Sequence, residues 1–159
     1  MKMKKIEISN TKRTNYLYYL ILTYFIIFMI FPFLILANFE NSVIAIFLNN
    51  NMYLLFLIVL VFIYIIITGV YYSYFRIDSY IINASSSRFS SKNNLLDIRH
   101  DMLEKFHFKK SFFSWNTVLY LNFKKSNKNS VMKKFYFSLL AESNKNKISL
   151  ILNKIISNN

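Results

Sequence analysis

The sequence predicts a membrane α-helical hairpin of two transmembrane helices joined to a small soluble α+β domain. That domain reads as short antiparallel strands capped by a C-terminal amphipathic helix. Three observations predict this. No Lys or Arg occurs from Thr14 to Phe75, and that gap holds two long apolar runs. The twenty basic residues all lie outside it. Beyond the gap, apolar residues recur first at strand spacing and then at helix spacing.

The boundaries follow from these shifts. Residues 1–15 form a basic arm, 16–37 a first transmembrane helix, 38–51 an external loop, 52–72 a second transmembrane helix, and 73–159 a basic inward-facing domain. The first run, Tyr16 to Ala37, is uncharged over its whole length. At about 1.5 Å per residue it spans roughly 33 Å, enough for a hydrocarbon core of about 30 Å. The second run, Met52 to Tyr72, is uncharged as well. In lipid the backbone must satisfy its own hydrogen bonds, so both runs should be helical despite their β-branched residues. A cleaved signal peptide is the rival for the first run. Its apolar stretch is too long for that, and no A-x-A site follows.

Flanking charge sets the expected topology. Lys2, Lys4, Lys5, Lys12 and Arg13 precede the first run, Arg76 follows the second, and 38–51 carries only Glu40. The positive-inside rule then places both termini on the cytoplasmic or matrix side of a bacterial or organellar inner membrane. Tyr16, Tyr18 and Tyr19 open the first run, and Tyr71, Tyr72 and Tyr74 close the second. They form an aromatic belt at the inner interface. Pro32 is expected to kink the first helix or mark its outer end, and Gly69 lies near the inner end of the second. Neither run carries a charged residue, which argues against an ion path or proton relay through this chain alone. Val43–Leu48 is an apolar patch in the connecting loop.

The chain has 159 residues, 55% of them hydrophobic, with a net charge of +13, no Cys, one Gly and one Pro. Without Cys there is no disulfide, thiolate metal site or Cys nucleophile. A single Gly excludes Gly-rich phosphate loops and nucleophile elbows. The abundance of Asn, Lys, Ile, Phe and Tyr is that of an AT-rich genome, so part of the lysine content is mutational.

In the tail, Tyr74–Ala84 alternates partly, with Phe75, Ile77 and Ile81 on one face. Asn116–Phe123 and Met132–Leu140 alternate across the polar 124–130 segment and read as a hairpin. In Ser143–Ser157, Ile148, Ile151, Leu152 and Ile155 recur at helical spacing, with Ser143 or Asn144 as cap. Leu95–Lys110 is ambiguous. As a helix it gathers Asp97, His100, Asp101, Glu104 and His107 near one face, a set of metal-ligand type. The competing reading of that face is a solvated surface, and as strands the set disperses. Neither histidine is paired with a nucleophile in sequence. No catalytic residue, cofactor site or metal site is assigned, and the chain is read as a non-enzyme.

Two apolar helices leading into FSWNTVLYLNFKK and KKFYFSLL as late strands, then a terminal helix, make a layout that resembles one known family. It is similar to the small bacterial pleckstrin-homology-like membrane proteins, including YcxB-like ones, over roughly Tyr72–Ile156. The resemblance implies a half-barrel of seven strands closed by a C-terminal helix. Five or six strands are recognisable in the sequence.

The expected function is an accessory or structural subunit of a larger membrane complex such as a respiratory, secretion or motility assembly. Its partners would be other membrane-protein subunits. The alternative is a module that binds anionic phospholipid through Lys109, Lys110, Lys124, Lys125, Lys128, Lys133 and Lys134. Nucleic-acid binding is disfavoured, because the aromatics fall where a sheet needs its core and no recognition motif is present.

Overall fold

Strand β1, Ile6–Ser9, precedes the apolar runs in sequence but pairs with β2, Tyr72–Ile77, which follows them. The register is antiparallel, from Ile6 opposite Ile77 to Ser9 opposite Tyr74. Part of the basic arm is therefore a strand. The computed structural model describes residues 6–39, 41–88, 96–110, 114–124 and 130–159. Two compact units result: Met1–Thr14 with Val70–Asn159, and Asn15–Gly69.

The first unit is α+β. β1, β2, β3 (Ile81–Ser87) and β4 (Leu96–Arg99) form a four-stranded antiparallel sheet in that order. β5 (Leu103–Lys110), β6 (Asn116–Lys124) and β7 (Ser130–Ser138) form a three-stranded antiparallel sheet. Among the described residues seven strands thus stand where five or six were expected. The expected strand 74–84 is two, turned at Asp78, whose N–H bonds the Ile81 carbonyl at 3.0 Å. The break exchanges the roles of two neighbours: Ile82 is buried, whereas Ile81 is 39% exposed.

A terminal helix, Glu142–Ser157, closes the unit. Its Ile148, Leu152 and Ile155 are buried with Phe75, Ile77, Ile82 and Ile98 of one sheet and Leu119, Leu121 and Phe137 of the other. Each such side chain contributes roughly 1.5–3 kcal/mol by leaving water. The helix begins after Ala141, with no side-chain cap bond, so neither Ser143 nor Asn144 is the cap.

The second unit is helical. α1 (Thr11–Tyr24, whose first residues belong to the other unit) continues through a π-helical run, Phe25–Ile30, into α2 (Phe31–Asn38). Pro32 opens α2. Proline lacks an N–H and clashes with the carbonyl four residues back, and the π-helical run just before it accommodates both defects. The whole stretch Thr11–Asn38, 28 residues, is long and apolar enough to cross a membrane. α3 (Val43–Asn50) lies within the expected loop, capped by the Ser42 hydroxyl, which accepts from the Ala45 N–H at 3.1 Å. α4 (Met52–Thr68) meets it at a bend of 76°. At 1.5 Å per residue α4 is about 26 Å long, a little short of a full crossing by itself. The terminal helix of the first unit is α5.

The second apolar run does not stay helical to Tyr72. Gly69 takes φ 66° and ψ 162° and ends α4. That conformation belongs almost wholly to glycine. Within the unit the two long helices pack together: Phe25 and Phe62 rings lie 4.9 Å apart, and the Tyr24 hydroxyl donates to the Ile58 carbonyl at 3.2 Å.

Candidate functional site

A buried polar network of the α+β unit lies where the chain leaves it and returns. Asn10 follows β1 and is 6% exposed. Its carboxamide nitrogen donates to the Tyr71 and Ser138 carbonyls, each at 2.9 Å, and its oxygen accepts from the Ser73 N–H at 2.8 Å. The Ser138 hydroxyl accepts from the Tyr71 N–H at 2.8 Å and also bonds the Asn116 side chain. Thr14, fully buried, reaches the Tyr71 carbonyl at 3.4 Å. The carboxamide carries both the donor pair and the acceptor that this position uses.

The chemistry of the surface lies elsewhere, on the outward face of β5–β7. Alternation places Lys105, His107 and Lys109 of β5 outward, since Leu103, Phe106 and Phe108 turn to the core. The ladder sets His107 beside Tyr120 and Tyr120 beside Lys134. The His107 and Tyr120 rings stack at 4.4 Å, and the Lys134 ammonium sits 5.6 Å from the Tyr120 centroid. Tyr136, two residues on, stacks with Tyr71 at 4.7 Å, and the Arg88 guanidinium lies 5.4 Å from the Tyr71 centroid. Rings and cations thus alternate over one face. The only carboxylate in the three strands, Glu104, sits at the bulge that opens β5, held by the Ser130 hydroxyl at 2.7 Å and Lys124 at 3.6 Å.

Of the seven lysines named as lipid contacts, five fall in the described residues, and those five do not share one face. Lys109 and Lys134 lie on the outward face. Lys110 has the opposite parity and lines a cleft with Arg13. Lys133 also has the opposite parity, opposite Leu121. Lys124 is paired with Glu104, and Lys125 and Lys128 lie outside the described residues. Lys105 and Arg88, not among the expected contacts, belong to the outward face. Reading LEKFHFKK as a strand is the signal that finds Lys105. The aromatic belt also divides. Tyr16 and Tyr19 are exposed on α1, at 63% and 69%. Tyr72 and Tyr74 are β2 residues, and Tyr71 precedes that strand in the stack with Tyr136.

The metal-type constellation is not assembled. The stretch expected as helix or strand is β4, a short 3₁₀ turn (His100–Met102) and β5. Asp97 bonds Asn83, Asp101 pairs with Arg99 at 2.7 Å, and Glu104 and His107 are engaged as above. Among the described residues no group of three or more His, Asp or Glu is placed to hold a metal ion. His100 Nε2 is buried without a hydrogen-bond partner there. Burial lowers the pKa of this imidazole below its ordinary value, against smaller raising effects from a bond with the Ile81 backbone and from Asp101.

No family model, curated protein or solved structure matches this chain.

Proposed function

We propose that this chain is a non-catalytic, membrane-anchored module whose α+β domain engages the anionic headgroup surface of the membrane that anchors it. One observation carries the proposal: the outward face of β5–β7 presents Lys105, Lys109 and Lys134, none of them in an ion pair among the described residues. Each basic residue near an anionic leaflet gains about 1 kcal/mol. The Tyr and His rings between them suit the headgroup layer, where amphipathic rings are stable.

The anchor is a hairpin with both ends on one side, facing the cytoplasm or matrix. The pairing of β1 with β2 in one sheet supports an even number of crossings for the chain between them. If Thr11–Asn38 crosses, the broken pair α3 and α4 must return. The layout of four strands, three strands and a closing helix also supports kinship with the pleckstrin-homology-like membrane proteins. The hairpin would then occupy the β1–β2 connection.

Reconstitution of the full chain with spin-labelled lipids tests the function. Phosphatidylglycerol should associate several-fold more strongly than phosphatidylcholine, and the preference should shrink as salt screens it. Replacing Lys105, Lys109 and Lys134 together by Gln should remove most of it. Equal association of the two lipids at low salt would refute the proposal. Because the chain has no Cys, single cysteines at Asn49 and Asn158 test the topology. A membrane-impermeant maleimide should label Asn49→Cys from outside and Asn158→Cys only after permeabilisation.

A second reading, an accessory subunit of a larger membrane complex, is favoured by α3. Its Val43, Ile44, Ile46 and Phe47 are all more than half exposed, a surface suited to partner helices. Stoichiometric partners retained in mild detergent would support this reading.

A further inference from the structure

The α+β unit contains a cleft of about 480 Å³ bordered by Arg13, Lys110, Ser114, Trp115, Thr117 and Lys145. Its size falls in the range of small-ligand sites. The cations come from three separate places, the start of α1, the end of β5 and the first turns of α5. Lys145 is paired with Glu142, also on the rim, at 2.7 Å. Among the described residues, Arg13 and Lys110 have no carboxylate within ion-pair distance. The cleft therefore carries a net charge of about +2, and its hydroxyls and indole N–H add neutral donors.

The backbone of Leu139 organises this site. It has φ 52°, in the left-handed region that costs a branched side chain roughly 1–2 kcal/mol. In that conformation its carbonyl accepts from Arg13 Nη1 at 3.0 Å, while its N–H donates to the Trp115 carbonyl at 3.0 Å. One guanidinium nitrogen is thereby fixed, and the planar fork keeps further N–H donors for an anion.

We infer that this cleft is a discrete binding site for the phosphate of an anionic phospholipid headgroup, distinct from the diffuse attraction of the outward sheet face. The location argues for a lipid source. Arg13 stands three residues before Tyr16, where the apolar run opens, about 5 Å along a helix. That is the depth of the headgroup layer beyond the hydrocarbon core. The inference rests on the proposed headgroup function.

The chain holds a single Trp, and it lines the cleft, so intrinsic fluorescence reports on the site. The full chain in neutral detergent would be titrated with dioctanoyl phosphatidylglycerol, dioctanoyl phosphatidylcholine and inorganic phosphate. Expected are a saturable Trp115 change with the anionic lipid alone and an affinity about tenfold weaker in Arg13→Gln and in Lys110→Gln. Lys147→Gln, exposed on α5, should behave like the parent. Circular dichroism checks the fold of each, and Lys110→Gln, which breaks no side-chain hydrogen bond among the described residues, keeps the test valid if Arg13→Gln unfolds. Coincident curves for parent and Lys110→Gln, or for anionic lipid and phosphatidylcholine, would overturn the site. A response to inorganic phosphate equal to that of the lipid would overturn the lipid assignment. A flat Trp115 signal with spin-label selectivity intact removes the cleft only; loss of selectivity in the parent removes the broader function.

Discussion

The side-chain amide of Asn10 donates to the backbone carbonyl of Ser138 at 2.9 Å, across 128 positions of sequence. The same nitrogen reaches Tyr71, and the amide oxygen takes the Ser73 N–H. One side chain therefore ties the exit from β1, the approach to β2 and the end of β7. Asn10→Ala would remove all three bonds in a buried setting, leaving the Tyr71 carbonyl only its long contact with Thr14, and is expected to cost about 2–4 kcal/mol. Asn10→Asp, equal in size, places an acceptor against two carbonyls and should cost at least as much. Thermal unfolding followed by circular dichroism in detergent measures both. A loss below about 0.5 kcal/mol in either would show that the amide is dispensable.

The left-handed backbone of Leu139 makes a comparative prediction. Leu139→Ala keeps the Cβ penalty and Leu139→Gly removes it. The Gly variant should be the more stable of the two by about 1 kcal/mol, the reverse of the usual order in regular structure. Chemical denaturation of the pair reads the difference directly, and an Ala variant that matches or exceeds Gly would contradict the strain.

Leu152 is fully buried between α5 and the sheets. Truncation to Ala should cost about 2–5 kcal/mol through lost burial and the cavity left behind. Leu150 on the same helix is 70% exposed, and its truncation should change stability by less than about 0.5 kcal/mol. Equal effects of the two would mean that α5 presents another face to the core.

His100 gives a pH dependence whose sign is fixed. Burial lowers the pKa of the folded-state imidazole, so the unfolded chain takes up the proton first. The associated stability is fully present above about pH 6.5, the unfolded value, and is lost as pH falls toward the lowered folded value. The melting temperature should therefore drop on acidification from about pH 7 to pH 5. The drop should be smaller in His100→Gln, and parallel curves would assign the titration elsewhere.

Periodic elements were legible in the sequence. The β6–β7 hairpin and α5 follow from alternation and from Ile148, Leu152 and Ile155, because one apolar face per element is what a core requires. β1 was hidden: four residues inside a basic arm carry little periodicity, and their partner lies beyond the apolar runs. The β2–β3 turn has neither Gly nor Pro to mark it. The lysines named as lipid contacts divide between two faces for a geometric reason. Adjacent residues in a strand face opposite ways, so Lys109 parts from Lys110 and Lys134 from Lys133. The cleft was invisible because Arg13, Lys110, Trp115 and Lys145 converge only in three dimensions.

The separation of β1 from β2 also orders events during synthesis. β1 leaves the ribosome first and has no strand to pair with until the apolar stretch has been made. If that stretch forms the proposed anchor, the four residues of β1 must wait at the membrane surface while it inserts. A nascent chain that inserted with one crossing would strand β1 on the wrong side, leaving an open edge on β2 and an unsatisfied polar cluster around Ser73 and Ser138. For the proposed hairpin, correct insertion would be a precondition for completing the sheet, and a misinserted chain would expose an unpaired strand to the quality-control proteases.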